Sequence, residues 1–533
     1  MRPRSFLLAS AALIGLAGPA SAELTLHILH INDFHSRIES INRFDSTCSA
    51  EDEAEGACFG GSARLHTLIN EIRDRLRAEG QHVIVLDAGD QAQGSLFHSV
   101  YRGAAEAEMM NAIGFDAMVV GNHEFNFGPE PLAGFAETVE FPVIAGSLDT
   151  SGDARLDALL EDHVVLEIGG ERVAIVGAIT TDTVEISSPG ATLTFRDEIG
   201  YLIDKVEELT VGGVDKIVAL THVGLPRDLE IARAVPGLDL IVGGHSHTLM
   251  SNTVEGALAY PQTVAGPTGE VPIVQAYAYG KYVGHVVLTF DGDGRVTEAT
   301  GDTLLVDASV EPDPLILARI AELGEPIEEM KAGVVGQASA DIEGSRETCR
   351  AMECPMGNLV AEAMLDRVED QGVTIAIQNG GGLRASIGAG EVTMGDVLAV
   401  LPFQNTLATF ELTGAGIVAA LENGFSEVEE GAGRFPQVAG LRVTWNPSAE
   451  PGNRVVEVLV EQDGNWVPID PDATYGVVSN NFMRKGGDGY AMFRDDAQNA
   501  YDFGPGLEDV VAAYLGEQGT YTPFVDGRIA TVR

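Results

Sequence analysis

The sequence predicts a layered α/β protein with more than one domain. Its 533 residues exceed what a single hydrophobic core usually holds, so two or three domains are expected. In the first half of the chain, short apolar runs alternate with amphipathic helical patterns, which is typical of a largely buried sheet flanked by helices. A polar cluster directly follows each of five apolar runs. Ligands bind beyond the strand ends of such sheets, so we expect these clusters to converge.

The first residues have the features of an export signal. A basic start at 1–4 is followed by an apolar stretch at 6–16 and a small-residue cleavage site at 20–22. The apolar stretch is too short to span a bilayer, and no cysteine that could carry a lipid follows it. We therefore expect residues 1–22 to be a signal peptide. The mature protein is expected to be periplasmic or secreted, without a membrane anchor.

The first half of the chain contains the elements of the predicted sheet. Apolar runs predict strands at 24–31, 83–86, 117–120, 173–177, 217–220, 238–242 and 283–290. Helical spacing predicts amphipathic helices at 65–78 and 104–113. Beyond residue 290 the sequence becomes rich in turns, and a polar helix is predicted at 312–331. We place the first domain at 23–310 and a linker helix at 311–334.

A second, α+β domain is predicted from residue 335 to residue 533. Its predicted helices are 357–368 and 414–423, and its predicted strands are 373–378, 407–412, 440–445 and 475–478.

The chain is strongly acidic, with a formal net charge of −48. Such a chain repels nucleic acids and anionic membranes, which argues against a DNA- or RNA-binding role. An anionic substrate would need a locally positive site. Two divalent cations and a few arginines could supply one.

The four cysteines form two local pairs, Cys48 with Cys58 and Cys349 with Cys354. Three connectivities are possible, of which the local one is the simplest. A Cys₄ metal site is the alternative, but these spacings are poor for zinc. Disulfides that close such short loops are expected to pin the loops rather than hold the fold.

The five polar clusters contain the side-chain types that bind divalent metals. Asp33 and His35 lie two residues apart, and Asp90 has two oxygens with which to bridge two ions. One predicted ion is bound by Asp33, His35, Asp90 and His247. The other is bound by Asp90, Asn122, His222 and His245. Two neighbouring metals are a device for hydrolysing phosphate esters.

The order of these motifs resembles that of a known family. Asp-x-His, Gly-Asp-x₃-Gly-Ser, Gly-Asn-His-Glu, Thr-His-x-Gly and Gly-His-x-His follow one another as in the calcineurin-type metallophosphoesterases. The stretches 86–95 and 121–125 are the most specific, and they resemble the secreted 5′-nucleotidase family. The resemblance implies an N-terminal four-layer α/β/β/α metallophosphoesterase domain, a C-terminal substrate-specificity domain and two divalent ions. Zinc, manganese, cobalt and iron all suit the predicted ligands.

The resemblance also implies a mechanism. Bound metals would supply a hydroxide for in-line attack on the phosphate, and His123 would contact the phosphoryl oxygens and stabilise the charge of the transition state, as the resemblance implies. A purely structural role is the alternative for His123. The 5′-nucleotidases commonly have Asp three residues after this histidine, whereas this chain has Asn126. An amide stabilises an imidazolium less than a carboxylate does, so His123 is expected to be less basic here.

The second domain is expected to bind the nucleoside. The residues that the resemblance assigns to this role are Arg350, Asn379, Arg384, Phe403, Asn405, Phe482 and Asp488. The two arginines and Asn379 bind phosphate or ribose oxygens, and Asp488 accepts from the ribose hydroxyls. The two phenylalanines sandwich the base, although a core position is the alternative for both. The substrate would then span both domains, with the linker helix as the candidate hinge.

The sequence therefore predicts an exported nucleotide phosphomonoesterase that scavenges nucleotides or phosphate. Nucleoside 5′-monophosphates are the expected substrates, with di- and triphosphates and UDP-sugars as further candidates. A 2′,3′-cyclic-nucleotide 2′-phosphodiesterase with 3′-nucleotidase activity is the alternative that Asn126 favours. Hydrolysis of sulfur esters is disfavoured by the base-binding residues. An exported nucleotide-binding protein without activity is disfavoured because all seven predicted ligands are present. The oligomeric state stays open.

Overall fold

The computed structural model describes residues 23–43, 45, 47–462, 464–502 and 504–532. The predicted signal peptide, residues 1–22, lies outside the described residues. None of the described helices combines the length and the apolar character that crossing a bilayer requires. Both local disulfides are present, with Cα–Cα distances of 6.0 Å between Cys48 and Cys58 and 5.2 Å between Cys349 and Cys354.

Two sheets form the centre of the N-terminal domain. In spatial order, the first consists of Val296–Leu305, Tyr282–Phe290, Leu24–Ile31, His82–Asp87, Ala117–Val119, Val143–Ile144 and Leu160–Glu161. The second consists of Gln262–Ala265, Glu270–Val274, Leu240–Gly243, Lys216–His222, Glu171–Ile179 and His163–Ile168. A short ribbon joins Leu148–Asp149 to Thr194–Phe195. Each of the seven strands predicted for the first domain overlaps a strand of these two sheets.

The side chains of the first strand explain the layering. Leu26 and Ile28 of Leu24–Ile31 are fully buried in the core between the sheets, whereas Leu29 and Ile31 belong to the core on the other face. Successive side chains of a strand point to opposite faces, so one apolar run serves two layers. The outer helices on this side are Ser62–Ala78, Leu96–Tyr101, Ala104–Ile113 and Pro129–Thr138. Those on the second sheet are Glu198–Val211 and Leu225–Ala234. The resulting order is α/β/β/α.

The segment after residue 290 differs from its prediction. The sequence predicts a region rich in turns, but Val296–Leu305 is a strand that pairs antiparallel with Tyr282–Phe290. Its sequence is polar because it forms the edge of the sheet and much of its surface faces solvent. The turn residues of 291–294 form only the hairpin connection.

The helix Pro314–Lys331 follows this hairpin. The carboxylate of Asp313 caps it by accepting from the backbone N–H groups of Leu315 and Ile316, at 2.8 and 3.1 Å. Its buried residues Ile320 and Leu323 belong to the N-terminal core. The helix therefore packs as part of the first domain.

The C-terminal domain is α+β. Its central sheet consists of Pro436–Ala439, Val373–Asn379, Thr474–Asn480, Leu407–Thr413 and Gln498–Tyr501. A second sheet consists of Asn465–Pro468, Val455–Gln462, Leu441–Trp445 and Ile529–Thr531, and a third of Gly390–Thr393, Val334–Ala338 and Thr520–Tyr521. The main helices are Pro355–Arg367, Met394–Val400, Gly414–Phe425 and Leu507–Gln518.

Candidate metal centre and nucleotide site

The five polar clusters meet because the strands before them are parallel. Leu24–Ile31, His82–Asp87 and Ala117–Val119 are parallel neighbours in the first sheet. Lys216–His222 and Leu240–Gly243 are parallel neighbours in the second. The carboxyl ends of parallel strands lie at the same edge, so the loops that follow them come together.

One group of side chains comprises Asp33, His35 and His247. One possible ligand atom from each lies within 4.8 Å of the others. His247 Nε2 is 3.1 Å from His35 Nε2 and 3.3 Å from an Asp33 oxygen. Two imidazole nitrogens and a carboxylate at this spacing suit a divalent transition metal.

A second group comprises Asp90, His222 and His245, again with possible ligand atoms within 4.8 Å. His222 Nε2 lies 3.0 Å from an oxygen of Asp90. His222 donates from Nδ1 to the backbone oxygen of Ala88 at 2.6 Å, which leaves Nε2 to face the site. The same Asp90 oxygen is 4.0 Å from His35 Nε2, so Asp90 lies between the two groups.

Asn122 supports the fit of this arrangement to cations. The residue is fully buried, and within the described part of the chain neither polar atom of its side-chain amide has a hydrogen-bond partner. A buried polar atom without a partner is costly, and a metal ion would supply one for the oxygen. The donor set of imidazoles, carboxylates and one amide therefore fits two divalent cations.

Left-handed backbone conformation is frequent among the predicted ligands. Five of the seven predicted ligands have left-handed φ values, namely Asp33 at 52°, His35 at 50°, Asp90 at 59°, His245 at 75° and His247 at 49°. Residues other than glycine rarely adopt a left-handed φ, and the backbone strain that it causes clusters at functional sites.

Electrostatic coupling within the site is strong. Against the effect of burial, the carboxylate of Asp90 raises the pKa of His222 to about 10. His222 in turn holds the pKa of Asp90 well below its usual range, again against burial. Burial, and then the neighbouring His222, lower the pKa of His245 to about 4. The shifts of His222 and Asp90 have the directions expected for a positive charge beside a buried carboxylate, whereas burial and the neighbouring His222 disfavour a second positive charge on His245.

His123 lies beside this group, with 5% of its surface exposed. Asn126 Nδ2 is 2.8 Å from His123 Nδ1. The same amide donates to Gln93 Oε1, and its oxygen accepts from the hydroxyl of Ser187 at 3.1 Å. Burial lowers the pKa of His123. Asn126 thus connects His123 to two further polar side chains, and the action of His123 on phosphate stays a prediction.

The residues predicted to bind the nucleoside lie in the C-terminal domain, most of them in loops or at the end of a strand, with Phe482 in the short helix Asn481–Arg484. Asn379 donates to an Asp488 oxygen at 2.7 Å. The guanidinium of Arg384 lies 5.2 Å from the ring centre of Phe403. Phe482 is 44% exposed, with its ring against Gly487. A core position is thereby excluded for Phe482.

Two further predicted residues make mainly backbone contacts here. Arg350, in the Cys349–Cys354 loop, donates to the backbone oxygen of Gly431 at 3.2 Å. The backbone oxygen of Asn405 accepts from Leu507 at 2.8 Å.

A cleft of about 350 Å³ lies between the two domains. Gln93 and Asn126 line it from the N-terminal domain, and Gln404 and Thr406 line it from the C-terminal domain. Gln404 directly follows Phe403. The cleft therefore connects the neighbourhood of His123 with the loop that carries one of the predicted base-binding residues.

Three residues near the candidate site were not among those predicted. Gln93 and Tyr279 both have left-handed φ values, of 65° and 63°, and the Tyr279 ring centre lies 5.7 Å from that of His35. Glu124 contacts the backbone of two loops of the site. Glu124 stands in the Gly-Asn-His-Glu motif, which was the available signal, whereas nothing in the sequence marks the conformations of Gln93 and Tyr279.

Comparisons with known proteins cover almost the whole chain. The family model for calcineurin-like phosphoesterases matches residues 26–249, and that for the 5′-nucleotidase C-terminal domain matches residues 334–495. The 5′-nucleotidase of Bos taurus is 37% identical, over 97% of this chain and 93% of its own. The 5′-nucleotidase of Homo sapiens is 36% identical, over 99% and 94%.

Solved structures show the same likeness. A 5′-nucleotidase precursor from Thermus thermophilus is 39% identical with a TM-score of 0.61, over 96% of this chain and 99% of its own. The NAD nucleotidase of Haemophilus influenzae is 26% identical with a TM-score of 0.75, over the same shares of the two chains.

Proposed function

This chain belongs to the 5′-nucleotidase family of calcineurin-like phosphoesterases, and on that basis we propose that it is an exported, metal-dependent 5′-nucleotidase. It is a hydrolase of nucleotides, and removal of the 5′-phosphate is the reaction that its relatives are named for. The observation that carries the proposal is the convergence of the predicted metal ligands, six of which form two groups of neighbouring side chains at one edge of the two sheets.

We propose that two divalent ions bind at this edge. Asp33, His35, Asp90 and His247 would hold one, and Asp90, Asn122, His222 and His245 the other. When bound, such ions neutralise phosphate oxygens and make water a stronger nucleophile at neutral pH. The position of Asp90 between the two groups supports its role as the shared ligand.

The remaining residues would position the substrate. His123, at the side of the metal centre, would donate to a phosphate oxygen as charge accumulates there. Arg350, Arg384 and Asn379 would bind the ribose and phosphate oxygens, while Phe403 and Phe482 would clamp the base. The cleft between the domains supports a substrate that touches both.

The reaction is tested on four substrates. Phosphate release is measured for the two monoesters, and chromatographic separation of the products is used for the cyclic ester and the UDP-sugar, whose first cleavage frees no phosphate. Purified protein, reconstituted with Mn²⁺, is incubated with AMP, 3′-AMP, 2′,3′-cyclic AMP and UDP-glucose. We expect the highest kcat/KM for AMP, and we expect EDTA to abolish turnover and Mn²⁺ to restore it. The Asp90→Asn variant is the control for contaminating phosphatase. Release of phosphate from 3′-AMP but not from AMP would overturn the 5′-specificity.

A second function is supported by one residue. Asn126 stands where the resembling 5′-nucleotidases commonly have Asp, and it lies 2.8 Å from His123. This favours a 2′,3′-cyclic-nucleotide 2′-phosphodiesterase with 3′-nucleotidase activity. Cleavage of 2′,3′-cyclic AMP at a higher kcat/KM than AMP, in the same assay, would establish it.

Export is proposed from two observations. The N-terminal sequence has the pattern of a signal peptide, and both disulfides require an oxidising compartment in most organisms. A periplasmic or secreted location follows. Fractionation of the source cells, with the mature N-terminus sequenced, tests it, and a mature chain that still begins at Met1 would contradict it.

A further inference from the structure

Glu124 is a buried carboxylate, 6% exposed, between two loops of the candidate metal centre. Its Oε1 accepts from the backbone N–H groups of Gln91 and Ala92, at 2.8 and 3.0 Å. Its Oε2 accepts from those of Asp90 and Gly121, at 3.1 and 2.6 Å. One side chain thus binds four backbone donors from two separate loops.

The backbone of the first loop explains why an anion belongs here. The left-handed φ of Asp90 turns the successive N–H groups of residues 90, 91 and 92 towards one side. Successive N–H groups arranged in this way form a concave site for an anion. The carboxylate of Glu124 occupies that site, and hydrogen bonds to a charged acceptor are about twice as strong as neutral ones.

The contacts between the loops run in both directions. The backbone N–H of His123 donates to Asp90 Oδ1 at 2.9 Å, while Glu124 accepts from the backbone of Asp90. A side chain at Gly121 would overlap the Asp90 carboxylate, so the two loops lie in direct contact. The second oxygen of Asp90 is then directed towards His222 Nε2, 3.0 Å away.

We propose that Glu124 is a positioning residue that sets the place of Asp90 between the two metal-binding groups. Its carboxylate hydrogen-bonds to backbone N–H groups, Asp90's among them, and acts on the Asp90 side chain through the backbone of that loop. This inference rests on the proposed function, because it takes Asp90 to be the shared metal ligand.

The test is the Glu124→Gln substitution in the full-length chain. A carboxamide has one oxygen, and its NH₂ group would face two N–H donors from which it cannot accept. We expect Mn²⁺ to bind the metal-free variant about 10- to 100-fold more weakly than the original protein, measured by isothermal titration calorimetry. In the metal-free protein, we also expect faster hydrogen exchange at the amides of residues 90–92 and 121.

Glu106→Gln is the matched control. Glu106 is a fully buried carboxylate that lies 3.1 Å from His98 Nδ1, outside the two metal-binding groups. We expect it to lower the melting temperature without changing the affinity for Mn²⁺. Equal weakening of Mn²⁺ binding in both variants would overturn the proposal, because the effect would then be general destabilisation.

Unchanged Mn²⁺ affinity in Glu124→Gln would also overturn it. If that variant does not fold, the Glu124→Asp variant is tested instead, because it keeps the negative charge but shortens the side chain by one methylene group. Weaker Mn²⁺ binding by a folded Glu124→Asp would support the proposal, and unchanged binding would overturn it. Failure of the proposed function has a different signature, namely an unsubstituted protein that binds Mn²⁺ but hydrolyses no nucleotide.

Discussion

At the scale of single residues, the candidate metal centre is built on strained backbone. Each left-handed residue that is not glycine costs on the order of 1–3 kcal/mol, and the surrounding fold has to offset that cost. The backbone N–H of His245 does so in part by donating to both oxygens of Asp33, at 3.1 and 2.9 Å. Asp33 and His245, two of the proposed ligands, are therefore held together by the protein's own hydrogen bonds.

Substitution of His123 tests its proposed contact with phosphate. We expect His123→Ala to lower kcat about 10²- to 10³-fold, the usual loss when a donor to transition-state charge is removed. Its metal content, measured by mass spectrometry, should stay normal because His123 is not a proposed ligand. His163→Ala, at a partly exposed histidine paired with Asp162, is the control and should keep full activity. Full turnover by His123→Ala would refute the role.

Removal of an exposed phenylalanine tests the base clamp. Stacking on an aromatic side chain contributes about 1–3 kcal/mol per base, so Phe482→Ala should raise the KM for AMP roughly five- to 150-fold. Trp466→Ala removes another exposed aromatic side chain, on a different sheet of the same domain, and should leave KM unchanged. An unchanged KM in Phe482→Ala would mean that the ring does not contact the base.

The residue types of the site could be predicted from sequence, but their conformations could not. The Asp, His and Asn residues that follow apolar runs can be recognised in the sequence, and the parallel strands bring them together. The positioning contacts of Glu124 depend on two loops that meet only in the fold. The left-handed φ of Tyr279 has no compositional signal, because tyrosine has no preference for that conformation.

At the scale of elements, the helix Pro314–Lys331 is more firmly bound to one domain than its prediction as a linker suggests. Its apolar face is buried in the N-terminal core, and the hydroxyl of Tyr101 donates to the backbone oxygen of Leu323 at 2.8 Å. If the domains move relative to each other, this helix is expected to move with the first. The flexible residues would then lie after Lys331.

Two leucines of this helix test how it is held. Leu323 is 5% exposed and Leu315 is 78% exposed. We expect Leu323→Ala to lower the free energy of unfolding by about 2–5 kcal/mol, because it leaves a cavity in the core. Leu315→Ala should change it by less than about 0.5 kcal/mol. Guanidinium denaturation of both variants measures this, and a small effect of Leu323→Ala would show that the helix is loosely attached.

Elements were predicted best where burial dominates. The helix Ala104–Ile113 and the strand Leu24–Ile31 have the bounds that the sequence predicts, because their apolar residues recur with the spacing of a helix and of a buried strand. The strand Val296–Leu305 was missed because an edge strand takes its stability from hydrogen bonds to Tyr282–Phe290 rather than from its own apolar residues. Pattern analysis detects burial, and it does not detect pairing.

At the scale of the whole molecule, the charge predicts a dependence on salt. Eighty acidic residues against 32 basic ones give strong self-repulsion in the compact state. Because the Debye length falls from about 10 Å at 0.1 M to about 3 Å at 1 M salt, NaCl should raise the melting temperature over that range. Tetramethylammonium chloride at equal ionic strength is the control, because an effect of charge screening should raise the melting temperature equally with either salt. A melting temperature that falls or stays constant would contradict the expectation.

The pairing of the first strand has a consequence for how the chain matures. Leu24–Ile31 lies inside the first sheet, and its antiparallel partner pairs Leu24 with Phe290. During synthesis one side of this strand therefore stays open until most of the N-terminal domain has left the ribosome. Contacts between such distant segments form slowly. On the proposed export route, a chain that reached the translocation pore before this pairing would still be unfolded enough to pass through it. A chain truncated before Tyr282 would lack the strand that pairs with Leu24–Ile31.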